Sequence, residues 1–500
     1  MSSSPAPQTT STTKSKFLHM KLSSSIERNF YWIIWLTSII YPFYHSHTTS
    51  MKYFDQIKDD LTPSWFGLHK DVSDYEWTFW RSMAFLLAAL FSINSAIVFL
   101  VKRFIPAESQ HLLILLSTLI LQGAVISIKG LLVVLLFTTL SYYLLDRTKR
   151  ISTIWISSII LLYIINNHDW KTKLFEYMRI HKDSYDLVKL VLMMCILRII
   201  SFSNFYLRSK DRQHDLDLPK LITFCLYIPV CYNGPIINFD TFYKDVYQTA
   251  RQYSITEITK DVVYTLANIF ALEIFFHFIY ANTLCVYHDI LQEMTVFDAI
   301  SLFWIHLHIF NIKYFIFYRF SGIFAKVDGV EPPGPPKCIA SLYTFVDMWR
   351  YFDKGLNTFL FQNIYIPLGG SAQGFGKQTL ASCLCFSFVG YWHGADKSLM
   401  FWALTNWLGI VIESLGTRII KTNIYRNTIN RFGCLAHRRL CALGGAFSVF
   451  TLIFTNMVFL VGHDSAVILL YRVFSVWHCP LICLFVFYCG NNCSIDASYT

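Results

Sequence analysis

This sequence predicts an all-α, polytopic membrane protein with roughly ten transmembrane helices plus re-entrant segments. Three observations carry that prediction. Hydrophobic residues fill 54% of the 500 positions and charged residues only 15%, which leaves too little polar surface for a soluble globule. Runs such as FLLAALFSINSAIVFLV (85–101) and HLLILLSTLILQGAVISI (111–128) approach the ~20 apolar residues that cross a bilayer. The run LITFCLYIPVCYNGPII (221–237) contains two prolines and a glycine. It reads as a broken or re-entrant segment, tolerated at membrane depth where protein or water satisfies the backbone.

The elements follow in chain order. Residues 1–29 are Ser/Thr-rich and basic and are expected to form a disordered cytosolic tail. The first apolar run, FYWIIWLTSIIYPFY, lacks a small-residue cleavage site and reads as an anchor, not a signal peptide. Candidate spans lie near 30–45, 78–101, 111–128, 130–145, 151–166, 185–201, 221–237, 262–288, 297–318, 380–392, 398–416, 440–461 and 466–489. That list exceeds the expected number of crossings, and 380–392 is short for one. Residues 30–489 are expected to form a single transmembrane domain, with 490–500 a short C-terminal tail. No internal repeat is visible.

The longest interior stretch without a hydrophobic run is 319–378. Four prolines in EPPGPPKC exclude regular helix at its start. Its middle can be helical, but Asp347, Arg350, Asp353 and Lys354 make it too polar to face lipid. On a helix, Trp349, Asp353, Leu356, Asn357 and Leu360 would share one face.

Lysine and arginine bias sets the orientation. Lys14, Lys16, Lys21 and Arg28 precede the first run, and the 417–439 loop carries six basic residues and no acid. Both are expected to be cytosolic, as are both termini. If 398–416 crosses the bilayer, His393 lies toward the lumen. The sequon NCS at Asn492 is then expected to stay unmodified. The net charge of +10 is spread over loops, which fits anionic lipid or an anionic cofactor and makes no case for nucleic acid. Thirteen cysteines without a spaced framework are expected to be mostly reduced.

Ionisable groups at membrane depth are functional candidates by default. His393, in SFVGYWHGADKSLMFW, and Asp353 stand out. Each has a bland reading as well. Asp353 can pair with Arg350 or Lys354 at headgroup level, and a lone histidine is more often structural than catalytic.

MWRYFDKGLNTFLFQNIYIPLGGS (348–371) followed by FVGYWHGADKSLMFWALTNWLG (388–409) resembles the membrane-bound O-acyltransferase (MBOAT) family, in particular its Hedgehog acyltransferase branch. The shared segments are WRxFD, YIPLGGS and YWHG, within a motif region of 319–416. The resemblance implies a palmitoyl-CoA donor and, as partner, a secreted signalling protein of Hedgehog or EGF type acylated on the amine of its N-terminal cysteine. It also implies a multi-pass location in the endoplasmic reticulum or Golgi membrane. By the same motifs it implies His393 and Asp353 as the catalytic pair, Trp349 and Arg350 beside the acyl-CoA, and Asn456, in TNMVFL, within reach of the donor. Asn357 stands where the family pattern has a histidine, in the donor region. A thioester is already activated, so the chemistry asks for geometry and a base. A neutral imidazole taking the proton of an attacking amine supplies roughly 10²–10⁴-fold.

Cys338, closing the proline run, is open to three readings: a plain thiol, a palmitoylation site, or the axial ligand of a structural haem b. The resemblance favours the last. GGSAQGFGKQ fails the phosphate-loop pattern and reads as a connector. His306 and His308 lie two apart and point to different helix faces, which argues against a metal. His277, Glu273 and His288 read as lining a polar interior. Asn406 and Asn456 read as interhelical hydrogen-bonding amides. Two rival functions remain: a lipid O-acyltransferase with a sterol, lysolipid or diacylglycerol acceptor, and a non-enzymatic transporter or scaffold.

Overall fold

A computed structural model describes residues 24–180, 184–249 and 251–497. In chain order its principal helices are α1 (Ser25–Lys52), α2 (Tyr75–Phe104), α3 (Ala107–Thr148), α4 (Ile151–Asn166), α5 (His168–Tyr177) and α6 (Tyr185–Arg208). Then come α7 (Leu218–Cys225), α8 (Ile255–Phe278), α9 (Val296–Val327), α10 (Phe345–Tyr351), α11 (Lys354–Leu360) and α12 (Phe375–His393). The chain ends with α13 (Lys397–Ile420), α14 (Asn423–Phe432), α15 (Cys434–Val461), α16 (His463–Phe474) and α17 (Cys479–Ala497). A two-residue ribbon, Thr62–Pro63 against His69–Lys70, joins α1 to α2.

Among the described residues, α2, α3, α6, α8, α9, α13, α15 and α17 are long and apolar enough to cross a membrane. The α4–α5 pair, bent by 94°, brings the count to nine if it forms one span. The all-α polytopic class therefore stands. The detail shifts. The runs at 111–128 and 130–145 lie on one helix, α3, interrupted at Ser127, whose φ is +67°. The run at 466–489 is two helices, and only α17 has the character of a span. α1 falls short because its second half is polar and buries Ser46, Thr49 and Ser50 in protein.

The stretches expected as tails overlap the first and last helices. Residues 1–23 and 498–500 lie outside the described residues, but 25–29 already belong to α1, where the Ser24 side chain caps the amide of Glu27 at 3.2 Å. Residues 490–497 belong to α17. Their polar groups are buried because they are paired: Arg438 of α15, 2% exposed, meets Asp496 at 2.6 Å and Asn492 at 2.9 Å.

The broken-segment reading of 221–237 holds. α7 ends at Cys225, and a single turn at Ile228–Val230 gives way to extended chain. Its freed carbonyls are not left bare. Arg198 of α6 donates to the carbonyls of Phe224 (3.0 Å), Cys225 (2.8 Å) and Val230 (2.7 Å), and Gln122 donates to Leu226 at 2.8 Å. Backbone that leaves helix at membrane depth needs such partners.

This segment then meets α11 at very close range. A Cβ on Gly355 would lie 2.3 Å from the carbonyl oxygen of Ile236. Gly355→Ala is therefore expected to force the two backbones apart and cost about 1–3 kcal/mol, the usual range for overpacking. Thermal unfolding of the purified protein in detergent checks this; a variant as stable as the parent would show that the contact yields freely.

Candidate active site

The cavity of interest opens where α6, α9, α10, α11, α12, α13, α15 and the broken segment converge. The space it encloses, part of it open to solvent, is about 1140 Å³. His393, Asp353, Trp349, Asn357 and Asn456 all line it, together with Tyr314, Tyr318, Trp392, Trp402 and Phe459. Five residues singled out from sequence are thus brought to one space by four separate elements and the α10–α11 junction.

Asp353 does not sit inside a helix. The chain breaks at Phe352, and Asp353 is the N-cap of α11, accepting the Leu356 amide at 2.8 Å. The expected single helical face is therefore folded at its middle, although Trp349, Asp353, Leu356 and Asn357 still reach the cavity. The break has a local reason. Aspartate competes for backbone amides and favours caps over helix interiors. Its second oxygen accepts the Tyr318 hydroxyl at 2.5 Å. Burial pushes the Asp353 carboxyl above its usual range, while the Leu356 amide and the Tyr318 hydroxyl pull it back. Asp353 does not pair with Arg350 or Lys354, so the headgroup reading of this carboxylate is set aside.

His393 is the last residue of α12, before Gly394, whose φ is +150°. Its ring is packed edge-on by Trp392, Phe459 and Trp402, at centroid distances of 4.8, 5.4 and 5.9 Å. The residue is half-buried and its remaining surface faces the cavity. None of the described residues hydrogen-bonds its nitrogens, so among them none competes with a ligand for the ring.

Two amides order the aromatic wall. Asn406 accepts the Trp349 indole N–H at 3.2 Å, and Asn456 accepts the Trp402 indole N–H at 3.2 Å. Both are interhelical bonds, as expected, and Asn456 lines the cavity besides. Sequence reasoning missed Tyr318 and Tyr314. Their i,i+4 spacing on α9 was the available signal.

Other candidates lie outside this cavity. Arg350 is exposed, 3.9 Å from Asp347, and does not line the cavity. His306 bonds Cys285 and the Ala281 carbonyl, while His308 bonds the Trp304 carbonyl, so the two rings serve separate structural contacts. Glu273 and His277 share α8, but His288 lies on another element and bonds Ser465. Glu273 pairs with Lys70 and accepts the Trp77 indole at 3.0 Å.

Cys338 is exposed on the coil after the prolines, and neither of the two large cavities is lined by it. A bound haem needs an apolar slot beside its axial ligand. The residues around Cys338, with Lys337 exposed next to it, do not build one, so the implied haem finds no fit here. Among the described residues no group of three or more His, Cys, Asp or Glu side chains gathers as a metal site.

A bundle of apolar helices long enough to cross a membrane encloses a histidine and a carboxylate in one aromatic cavity, the build of a multi-pass membrane protein with a polar pair in its interior. The model of the membrane-bound O-acyltransferase family, MBOAT, matches residues 132–461, and the chain belongs to that family. It is an acyltransferase. The matched stretch contains every cavity residue named above. The chain is similar to protein-cysteine N-palmitoyltransferase HHAT of Mus musculus, 29% identical over 79% of this chain and 81% of the relative. It is similar to protein-cysteine N-palmitoyltransferase Rasp of Drosophila melanogaster, 27% identical over 72% of each. It is also similar to membrane-bound O-acyltransferase GUP1 of Candida tropicalis, 24% identical over 91% of this chain and 83% of the relative.

Proposed function

We propose that this acyltransferase moves a palmitoyl group from palmitoyl-CoA to the N-terminal cysteine amine of a secreted signalling protein of Hedgehog or EGF type. The observation that carries the reading is the shared cavity: His393, with free ring nitrogens, and Asp353 face one apolar, aromatic space. The similarity to two protein-cysteine N-palmitoyltransferases supports the same direction. In this reading the amine attacks the thioester carbonyl, His393 takes the amine proton, and the CoA thiolate leaves and is protonated in turn. Trp349, Asn357 and Asn456 hold the donor.

Incubating the purified protein with labelled palmitoyl-CoA and a peptide bearing a free N-terminal cysteine tests this. Transfer that disappears when the peptide amine is acetylated is the expected result. A second reading, O-acyl transfer to a lipid hydroxyl, is favoured by the similarity to GUP1 across nearly the whole chain. Label arriving in a sterol, lysolipid or diacylglycerol, and not in the peptide, would replace the first reading with the second.

The enzyme is proposed to sit in the endoplasmic reticulum or Golgi membrane with both termini cytosolic. The Asn492 sequon is a poor reporter of this, because the residue is 1% exposed within α17. Terminal epitope tags in sealed microsomes report it better: both should be digested by added protease, and protection of either would reverse the orientation.

Cys338→Ala is expected to change turnover by no more than about twofold, as for surface substitutions away from a site. A visible haem band in the parent, together with a larger loss in the variant, would restore the haem reading.

A further inference from the structure

We propose that Lys337 and Lys354 form a phosphate-binding rim beside the central cavity. This rests on the acyl-CoA reading above and adds the residues that recognise the donor's charged end. The proline-rich loop lies against the α10–α11 junction: the Lys337 amide donates to the Tyr351 carbonyl at 3.1 Å, and the Lys337 ammonium stands 3.6 Å over the Tyr351 ring. From the other side, the Lys354 ammonium reaches back over the loop, 3.0 Å from where a Cβ on Gly334 would be. Asp353, next to Lys354, and Ile339, two residues beyond Lys337, line the cavity, so both cations are carried on the chain that walls it although neither side chain lines it.

The nearby carboxylates are already engaged. Asp347 faces Arg350, Glu331 pairs with Arg251, and Asp353 is held by Tyr318 and the Leu356 amide. Among the described residues neither lysine has a carboxylate partner. Burial, and then the charge of Lys337, hold Lys354 below the usual lysine range. Two unpaired cations that repel each other beside an apolar cavity are stabilised by an anion bearing more than one charge. Lysine binds phosphate as a point charge. An occupant with a phosphate head and an apolar tail satisfies both rim and cavity. Two sources offer that chemistry: the phosphates of an acyl-CoA, and the headgroup of an anionic lipid.

The test compares the parent with Lys337→Gln/Lys354→Gln and with the double arginine variant, after thermal unfolding shows that each is folded. Free CoA, 3′-dephospho-CoA and palmitoyl-CoA are the soluble probes. Vesicles of phosphatidylcholine with and without phosphatidylserine are the lipid probes. The glutamine variant should bind free CoA roughly tenfold more weakly, the scale of losing charge-assisted hydrogen bonds, and the arginine variant should retain binding. A KM effect on palmitoyl-CoA that is absent for S-palmitoyl-pantetheine, which lacks CoA's phosphates, also supports the rim. Unchanged CoA binding with a lost preference for phosphatidylserine vesicles assigns the rim to lipid. Unchanged behaviour toward both probes overturns the proposal. Free-CoA binding reads the rim without transfer, so failure of the parent to acylate a cysteine peptide would end the proposed function and leave this result separately legible.

Discussion

His393→Ala is expected to abolish acyl transfer while leaving the protein folded and able to bind palmitoyl-CoA. The ring contributes no hydrogen bond to any described residue, so its removal unpairs no buried partner. What it takes away is an aromatic-packed imidazole open to the cavity, between Trp392, Phe459 and Trp402. Donor contacts are proposed to lie elsewhere, at Trp349, Asn357 and Asn456. A lost proton acceptor lowers kcat and kcat/KM together, with little change in donor affinity. The drop should be roughly 10²–10⁴-fold, the span of general-base assistance. Single-turnover transfer from labelled palmitoyl-CoA, measured beside equilibrium donor binding, separates the two terms. Near-normal transfer by the variant would make the ring structural.

The parts of this architecture legible in the sequence are those that depend on local composition. α2, α6, α9, α13 and α15 are legible because long, predominantly apolar runs leave few alternatives. The broken segment was found because proline and glycine punctuate it. Illegible parts depend on partners distant in sequence. The polar end of α17 looked like a tail because nothing local announces that Arg438 buries itself against Asn492 and Asp496. The Trp349–Leu360 stripe looked continuous because periodicity says nothing about Asp353 preferring to cap α11, with Tyr318 of α9 fixing its other oxygen. Histidine and carboxylate were both named from sequence, but their meeting in one cavity is tertiary. So is the absence of Arg350 from it: that side chain takes the outer face of α10 beside Asp347.

Asp353→Asn should reduce turnover by roughly 10²-fold, the lower part of the range for a group assisting proton transfer, without the instability of Asp353→Ala. The two substitutions remove different things. Asparagine caps a helix about as well as aspartate, so its carbonyl keeps the bond to the Leu356 amide, while its NH2 replaces the oxygen that accepts the Tyr318 hydroxyl and can only donate to that hydroxyl instead. The charge and one acceptor oxygen are lost, while the cap is kept. Alanine loses the cap too, at a further cost of about 1 kcal/mol in stability. A third variant supplies the sign. Tyr318→Phe removes a donor that favours the carboxylate, so the already raised Asp353 carboxyl should rise further. If the carboxylate is the working form, activity is present above its pKa and lost as pH falls through it. The acidic limb of the Tyr318→Phe profile should therefore move to higher pH, with the plateau above it retained. Asp353→Asn should lose the Asp353 contribution to that limb and keep only the fall caused by protonation of the His393 base. An unchanged rate in Asp353→Asn, or a Tyr318→Phe limb at the parental pH, would reduce Asp353 to a helix cap that happens to face the cavity.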